Sequence, residues 1–397
     1  MPTPGPGTCR VLLQCAAATL VAHALVAVVY GLVWPDVATL VPAIDHAPRF
    51  QQDFVAYYHA AAANVLREPS PPPGYYYPAF FALLLAPLGA LAPTTAALAW
   101  LGVQAAAWLC YVLVVARGLC CARVGGTFVV ALVAATSFPM LHNLVWGQVS
   151  VLLALACWGA AAAALRGRST LAGVVLGVAA AIKYYPAWFV VWLALRREWR
   201  ACGAFVAAAI VCAVVLPAAT LGVDGWLAYD AEIARRAADA GWIVDDPNSQ
   251  YVANVARRWW FLVSGERVGD GAMTALRWLG VAAAIAIAWL AHRRQRAGQP
   301  VFAFAALTTA LPFVVTTSWP HYFAALVGAQ ATLWLAAAGT RRPRAVRAAL
   351  AVSVTLASVG AFAFAPTWAH YNGYGLLFVA NAAVLVGVAL AAPKQPS

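Results

Sequence analysis

The feature that most constrains this chain is a long succession of apolar runs separated by short joints, many of them rich in arginine. The runs cover residues 11–34, 78–92, 94–116, 126–140, 148–165, 170–195, 201–221, 271–292, 301–317, 321–339, 345–365 and 374–392. Each exposes more hydrocarbon than a soluble helix could cover, and the whole chain is 64% hydrophobic and 10% charged. Soluble domains are about half apolar and a quarter charged. The sequence therefore predicts an all-α polytopic membrane protein, with one integral membrane domain over residues 1–397. The first run is longer than the core of a signal peptide and reads as a retained helix.

The net charge is +12. A nucleic-acid partner would need that charge gathered on one soluble face, whereas here it sits in small clusters between apolar runs. No nucleic-acid partner is expected. The clusters instead read as an orientation signal. If 78–92 lies at the outer interface and 170–195 is two short helices broken at Lys183–Pro186, the chain makes about twelve crossings with both termini cytoplasmic. Sixteen of the 25 Lys and Arg then fall on the cytoplasmic side: Arg10, Arg117, Arg123, Arg166, Arg168, Arg196, Arg197, Arg200, Arg293, Arg294, Arg296, Arg341, Arg342, Arg344, Arg347 and Lys394. Only Glu198 among the 13 acids joins them. Two long polar loops face the other side, a first over 35–93 carrying interfacial helices and a second over 222–270. The expected location is a bacterial inner (plasma) membrane. The eight cysteines lie in apolar runs or basic joints, so no structural disulfide or metal cluster is expected.

This topology puts Asp53, Tyr77, the 142–148 joint, Lys183, the 245–258 stretch and His321 on one extracytoplasmic face, which predicts a single cavity. Asp53 there is either a general base for a hydroxyl nucleophile or a loop carboxylate that caps a helix. On an α-helix Tyr57 shares its face and His59 does not, so His59 reads as structural. In Thr317-Ser318-Trp319-Pro320-His321-Tyr322, an aromatic belt accounts for Trp319 and Tyr322 but not for His321, which is suited to donating to a phosphate. Lys183 either snorkels to the interface or pairs with an anionic headgroup. Gln148 offers an amide at the start of an apolar run, with packing of small residues around Gly147 as the alternative. Asn248, Arg257 and Arg258 close the second loop, and arginine is suited to holding phosphate by paired hydrogen bonds, with a loop solvated at the membrane surface as the equal alternative for Arg258. The loop acids Asp224, Asp230, Glu232 and Asp239 read as capping or solvating groups.

Taken in order, these stretches resemble glycosyltransferase family 87. The matching pieces are Asp53-Phe54 with Tyr57 and Ala60, Tyr75 to Pro78 ahead of Leu83 to Leu88, Gly147-Gln148, Arg166-Gly167-Arg168, Ile182-Lys183 with Pro186, Arg197 to Ala201, Asn248 to Arg257, and Ser318-Trp319 with His321-Tyr322. Ala79 stands where that family usually has a second proline, and Asn248-Ser249-Gln250 departs from its usual Asn-Gln-Ser order. The resemblance implies a C-type glycosyltransferase fold. It also implies inverting transfer of mannose from polyprenyl-phosphate-mannose to a lipid-linked or glycan acceptor, with Asp53 as base. Catalysis would fall to Asp53 and His321. Substrate binding would fall to Tyr57, Tyr77, Gln148, Lys183, Asn248, Arg257, Trp319 and Tyr322. No metal or other cofactor is expected, and the partners are the lipid donor, the acceptor and membrane lipid. The competing classes are a secondary transporter, for which the sequence shows no internal repeat, and a polymerase or ligase of lipid-linked glycans.

Overall fold

The computed structural model describes residues 17, 21, 51–68, 70–119, 124–239, 241–363, 365 and 368–392. The first apolar run, 11–34, the start of the first polar loop, and Lys394 therefore lie outside the described residues, apart from isolated positions in that run. What is described is all helical, with no strand among the described residues. Among the described residues, three helices are long and apolar enough to cross a membrane: Pro93–Leu119, Trp199–Leu221 and Asp270–Arg296. At 1.5 Å per residue the shortest of them, 23 residues, spans about 35 Å, against a hydrocarbon core of roughly 30 Å. The outward-facing Val206, Ile210, Val211, Val215 and Leu216 of Trp199–Leu221 are all exposed, as lipid contact requires.

The other apolar runs fold into shorter helices. Run 78–92 becomes Ala79–Gly89, too short to cross. Run 170–195 divides into Ser169–Ile182 and Tyr185–Leu195, broken at Lys183, whose backbone is extended. Pro186 causes the break, because it has no N–H to give the preceding turn and its ring clashes with that turn's carbonyl. Pro312 and Pro320 likewise start new short helices, Leu311–Val314 and Pro320–Ala325.

The chain forms two compact units interleaved in sequence. Of the described residues, one comprises those within 48–108 and 143–244, the other those within 109–142 and 245–397. In the first unit, helices Ser169–Ile182 and Trp199–Ile210 meet backbone to backbone. A Cβ on Gly173 would lie 2.0 Å from the Ala201 carbonyl oxygen, and one on Gly177 would lie 2.4 Å from that of Phe205. This is close approach through two glycines four residues apart. Helix Val223–Asp239 of the second polar loop is tied to the first loop in the same unit. Arg236 donates to the carbonyls of Pro71 and Pro72 at 2.9 and 2.6 Å. Asp230 accepts from the Ala79 backbone N–H at 3.4 Å and from Trp226 at 2.8 Å, a negative charge at the start of helix Ala79–Gly89 where free N–H groups point outward. The second polar loop is thus divided at residue 244, and its remainder belongs to the other unit.

In that other unit Tyr111 accepts from the Gly328 N–H at 2.9 Å and donates to the carbonyls of Ala324 and Ala325. Arg294 is buried and donates to the carbonyls of Val388, Ala389 and Ala391. It holds the open C-terminal end of helix Leu376–Leu390, the end that favours a cation.

Candidate active site

The first unit builds a polar cluster in an otherwise apolar surround. Its entrance is the left-handed backbone of Gln51, φ 51°, a conformation that costs a residue with a side chain about 1–3 kcal/mol. What holds it is the joint of residues 143–148. The Gln51 N–H donates to the Val145 carbonyl at 3.0 Å, and its side chain is fully buried. Gly147 also has positive φ, and a Cβ there would fall 2.6 Å from Phe54 Cβ and 3.1 Å from Gln51 Cβ. Only glycine lets the two segments touch. Trp100 then donates to the Gly147 carbonyl at 2.8 Å and stacks on Phe54 with centroids 5.4 Å apart. Asn143 closes the joint, accepting from the Val151 N–H.

This contact brings Gln148 to Asp53. The Gln148 amide N–H donates to Asp53 Oδ2. Its Oε1 accepts from Tyr58 at 2.6 Å and from Tyr77 at 3.1 Å, and the two phenol oxygens are 2.5 Å apart. Because both phenols are donors to Oε1, the amide is oriented with its nitrogen toward the carboxylate. Lys183 Nζ donates to the Tyr77 hydroxyl at 2.9 Å and lies 4.8 Å from the centre of its ring. The result is a relay from Lys183 through Tyr77, Tyr58 and Gln148 to Asp53, buried except at the half-buried carboxylate. Burial pushes the Asp53 carboxyl up to about 6, opposed by the Gln148 hydrogen bond and the Lys183 charge. Burial also pushes the Tyr77 phenol up, which keeps it protonated and donating. A carboxylate near neutrality can take a proton and release it again.

Tyr58 is the residue that sequence reasoning missed. Residues Phe54–His59 form a π-helical turn, in which backbone hydrogen bonds run i→i+5 and the turn is wider than in an α-helix. The five-residue step from Asp53 reaches Tyr58, whereas the four-residue step of an α-helix selects Tyr57. No local signal separates the two adjacent tyrosines. Tyr57 is half-buried and lies over Gly74, where a Cβ would come within 2.4 Å of its ring. Its phenol is raised by burial and by the Asp53 charge, so it neighbours the carboxylate without bonding the amide. His59 is buried with Nε2 2.9 Å from the Leu91 carbonyl oxygen, a bond that anchors the helix.

The remaining candidates belong to the other unit. His321 is 1% exposed and packs against His142, with ring centroids 5.3 Å apart, and against Trp319 and Tyr322 at 5.9 and 4.9 Å. Asn248 accepts from the Asn372 side-chain amide at 2.9 Å. Ser249 and Gln250 are fully buried and bonded to the backbone of Thr316, Asn372 and Phe378. Arg258 donates to the carbonyls of Ser249, Asp246, Asn372 and Gly373, and burial together with Arg257 lowers it to about 10. Arg257 pairs with Asp245. The structure therefore joins Asp53, Gln148, Tyr77 and Lys183 in one network, gathers His321, Trp319 and Tyr322 in a second, and sets Asn248 and Arg257 around a third.

A family model described as glycosyltransferase family 87 matches residues 75–318, more than half of the chain. The matched stretch contains Tyr77, Gln148, Lys183, Asn248 and Arg257. Asp53 lies before it, and Trp319, His321 and Tyr322 lie just beyond its end. No curated protein and no solved structure matches the chain.

Proposed function

Because the chain belongs to glycosyltransferase family 87, we propose that it is an inverting mannosyltransferase of a bacterial plasma membrane. It would have about twelve crossings, both termini cytoplasmic, the C-type glycosyltransferase fold and its site on the extracytoplasmic side. The donor is polyprenyl-phosphate-mannose and the acceptor a lipid-linked or glycan hydroxyl. The observation that carries this reading is the Asp53 network: a half-buried carboxylate, pushed up to about 6, held by an oriented amide and backed by a buried lysine. Asp53 takes the proton of the acceptor hydroxyl as that oxygen attacks the anomeric carbon. The bond from that carbon to the phosphate oxygen breaks, and its electron pair leaves with the phosphate. A β-linked donor gives an α-mannoside. The leaving phosphate needs cationic and hydrogen-bonding partners, for which Lys183, bonded to Tyr77 within the Asp53 network, is the candidate. Such a reaction is metal-independent.

Membranes carrying the wild type or Asp53→Asn, given radiolabelled polyprenyl-phosphate-mannose and a lipid extract, with and without EDTA, test this. Transfer of label by the wild type alone is expected. Equal transfer by both would remove Asp53 from the mechanism, and loss of all transfer on adding EDTA would remove the metal-independent step.

A further inference from the structure

The unit comprising residues 109–142 and 245–397 contains a pocket of about 500 Å³ lined by Asp245, Arg257, Arg258, Arg267, His370 and Tyr374, with Phe261 and Leu262 at one side. Its volume lies in the range of ligand sites and exceeds what a bare phosphate fills. Three guanidinium groups and an imidazole face it against one carboxylate, and that carboxylate is 72% exposed. The floor is rigid. Arg258 and Trp259 bond the carbonyls of Gly373 and Tyr374, and Gly375, at φ 67°, lets that turn approach Val255 so closely that a Cβ would lie 2.7 Å away.

The helix that carries the pocket changes character along its length. In Val252–Ser264, Arg257 and Phe261 are four residues apart, as are Arg258 and Leu262, so each guanidinium lies one turn before an apolar side chain on the same face. Beyond the arginines, Trp259, Trp260, Phe261, Leu262 and Val263 are all exposed, Val263 at 89%. Five successive residues of a helix cover every direction around its axis. An end that is apolar all round and exposed is stable in lipid rather than in water. Cationic groups one turn from an apolar end match an amphiphile, with an anionic head and hydrocarbon beside it.

We propose that this pocket is a lipid-headgroup site. Arg257 and Arg267 hold the phosphate of an anionic membrane phospholipid, Arg258 adds its charge from the wall, and Phe261 and Leu262 flank the first carbons of the chains. Asp245 competes with the phosphate for Arg257. This assignment rests on the pocket and its helix, and its test reads binding rather than turnover, so it stands or fails separately from the transferase reading.

The purified full chain in neutral detergent is titrated with fluorescent phosphatidylglycerol and with fluorescent phosphatidylcholine. Phosphatidylglycerol is expected to bind about tenfold or more tighter, and the pair Arg257→Gln with Arg267→Gln to remove that preference. Asp245→Asn is expected to tighten phosphatidylglycerol binding, a gain that misfolding cannot mimic. Equal affinity for the two lipids, an unchanged preference in the double arginine variant, or weaker binding in Asp245→Asn would overturn the proposal. Displacement of the lipid by inorganic phosphate at a concentration near the lipid's own Kd would also overturn it, assigning the pocket to a soluble anion.

Discussion

Gln148 and Gln250 are both buried amides in polar joints of a membrane protein, and they do opposite things. The Gln148 side-chain amide bonds three side chains, Asp53, Tyr58 and Tyr77. Gln250 bonds backbone, accepting from the Phe378 N–H and donating to the Asn372 carbonyl. The same division separates Lys183, which donates to a phenol, from Arg258, whose partners are four carbonyls. Backbone partners lock a polar group into the fold, because breaking the bond strands a buried peptide group at about 1–3 kcal/mol. Side-chain partners can reorient toward a substrate at lower cost. By this criterion the Asp53 network is suited to chemistry and Gln250 to bracing.

Substitutions can break that contrast. Asp53→Asn is expected to lower turnover by about 10²–10⁴-fold while the thermal unfolding midpoint in detergent holds; a comparable loss from Gln250→Ala, per folded molecule, would erase the distinction. Lys183→Gln should reduce turnover by about 10²-fold and also change its pH dependence. With Asp53 at about 6, wild-type kcat/KM is expected to rise as pH increases through 6 if Asp53 is the base, because a base must lose its proton to act. Lys183 favours the charged carboxylate, so its removal moves that rising limb to higher pH; a limb that stays in place would separate Lys183 from Asp53. Gly147→Ala imposes a Cβ 2.6 Å from Phe54 Cβ and pushes Gln148 away from the carboxylate. A displacement of this order costs roughly 10–100-fold in turnover, readable in single-turnover kinetics.

On the bracing side, Gln250→Ala should lower stability by about 1–3 kcal/mol, seen as a lower denaturant midpoint, with the pH profile of the remaining folded enzyme unchanged. The smallest effect belongs to Arg236→Ala. It frees the Pro71 and Pro72 carbonyls at the edge of the first unit and should cost about 1 kcal/mol, detected as faster proteolysis of the 65–75 segment.

Much of the helical organisation was legible in order and type. The runs at 94–116, 201–221 and 271–292 are the three helices of spanning length, and Pro186 announced the break beside Lys183, because proline acts locally. Asp53, Tyr77, Gln148 and Lys183 were each legible as polar residues with no reason to stand in apolar sequence. Hydrophobic patterning, helix breakers and charge placement are properties of neighbouring residues, so the chain alone determined them. It also carried enough of the family pattern for membership in glycosyltransferase family 87 to follow.

What only the tertiary structure decided is which polar residues serve one another. Tyr58 replaced Tyr57 as the bonded partner because a π-helical turn reset the periodicity. Arg294, one of a cluster read as an orientation signal, also holds a helix end some 95 residues away in sequence. Gln250, read together with Arg257 as part of one polar stretch, turned inward while Arg257 lined a pocket. These outcomes depend on contacts between residues distant in sequence and on the direction in which each hydrogen bond is given, and no local pattern of residues contains either.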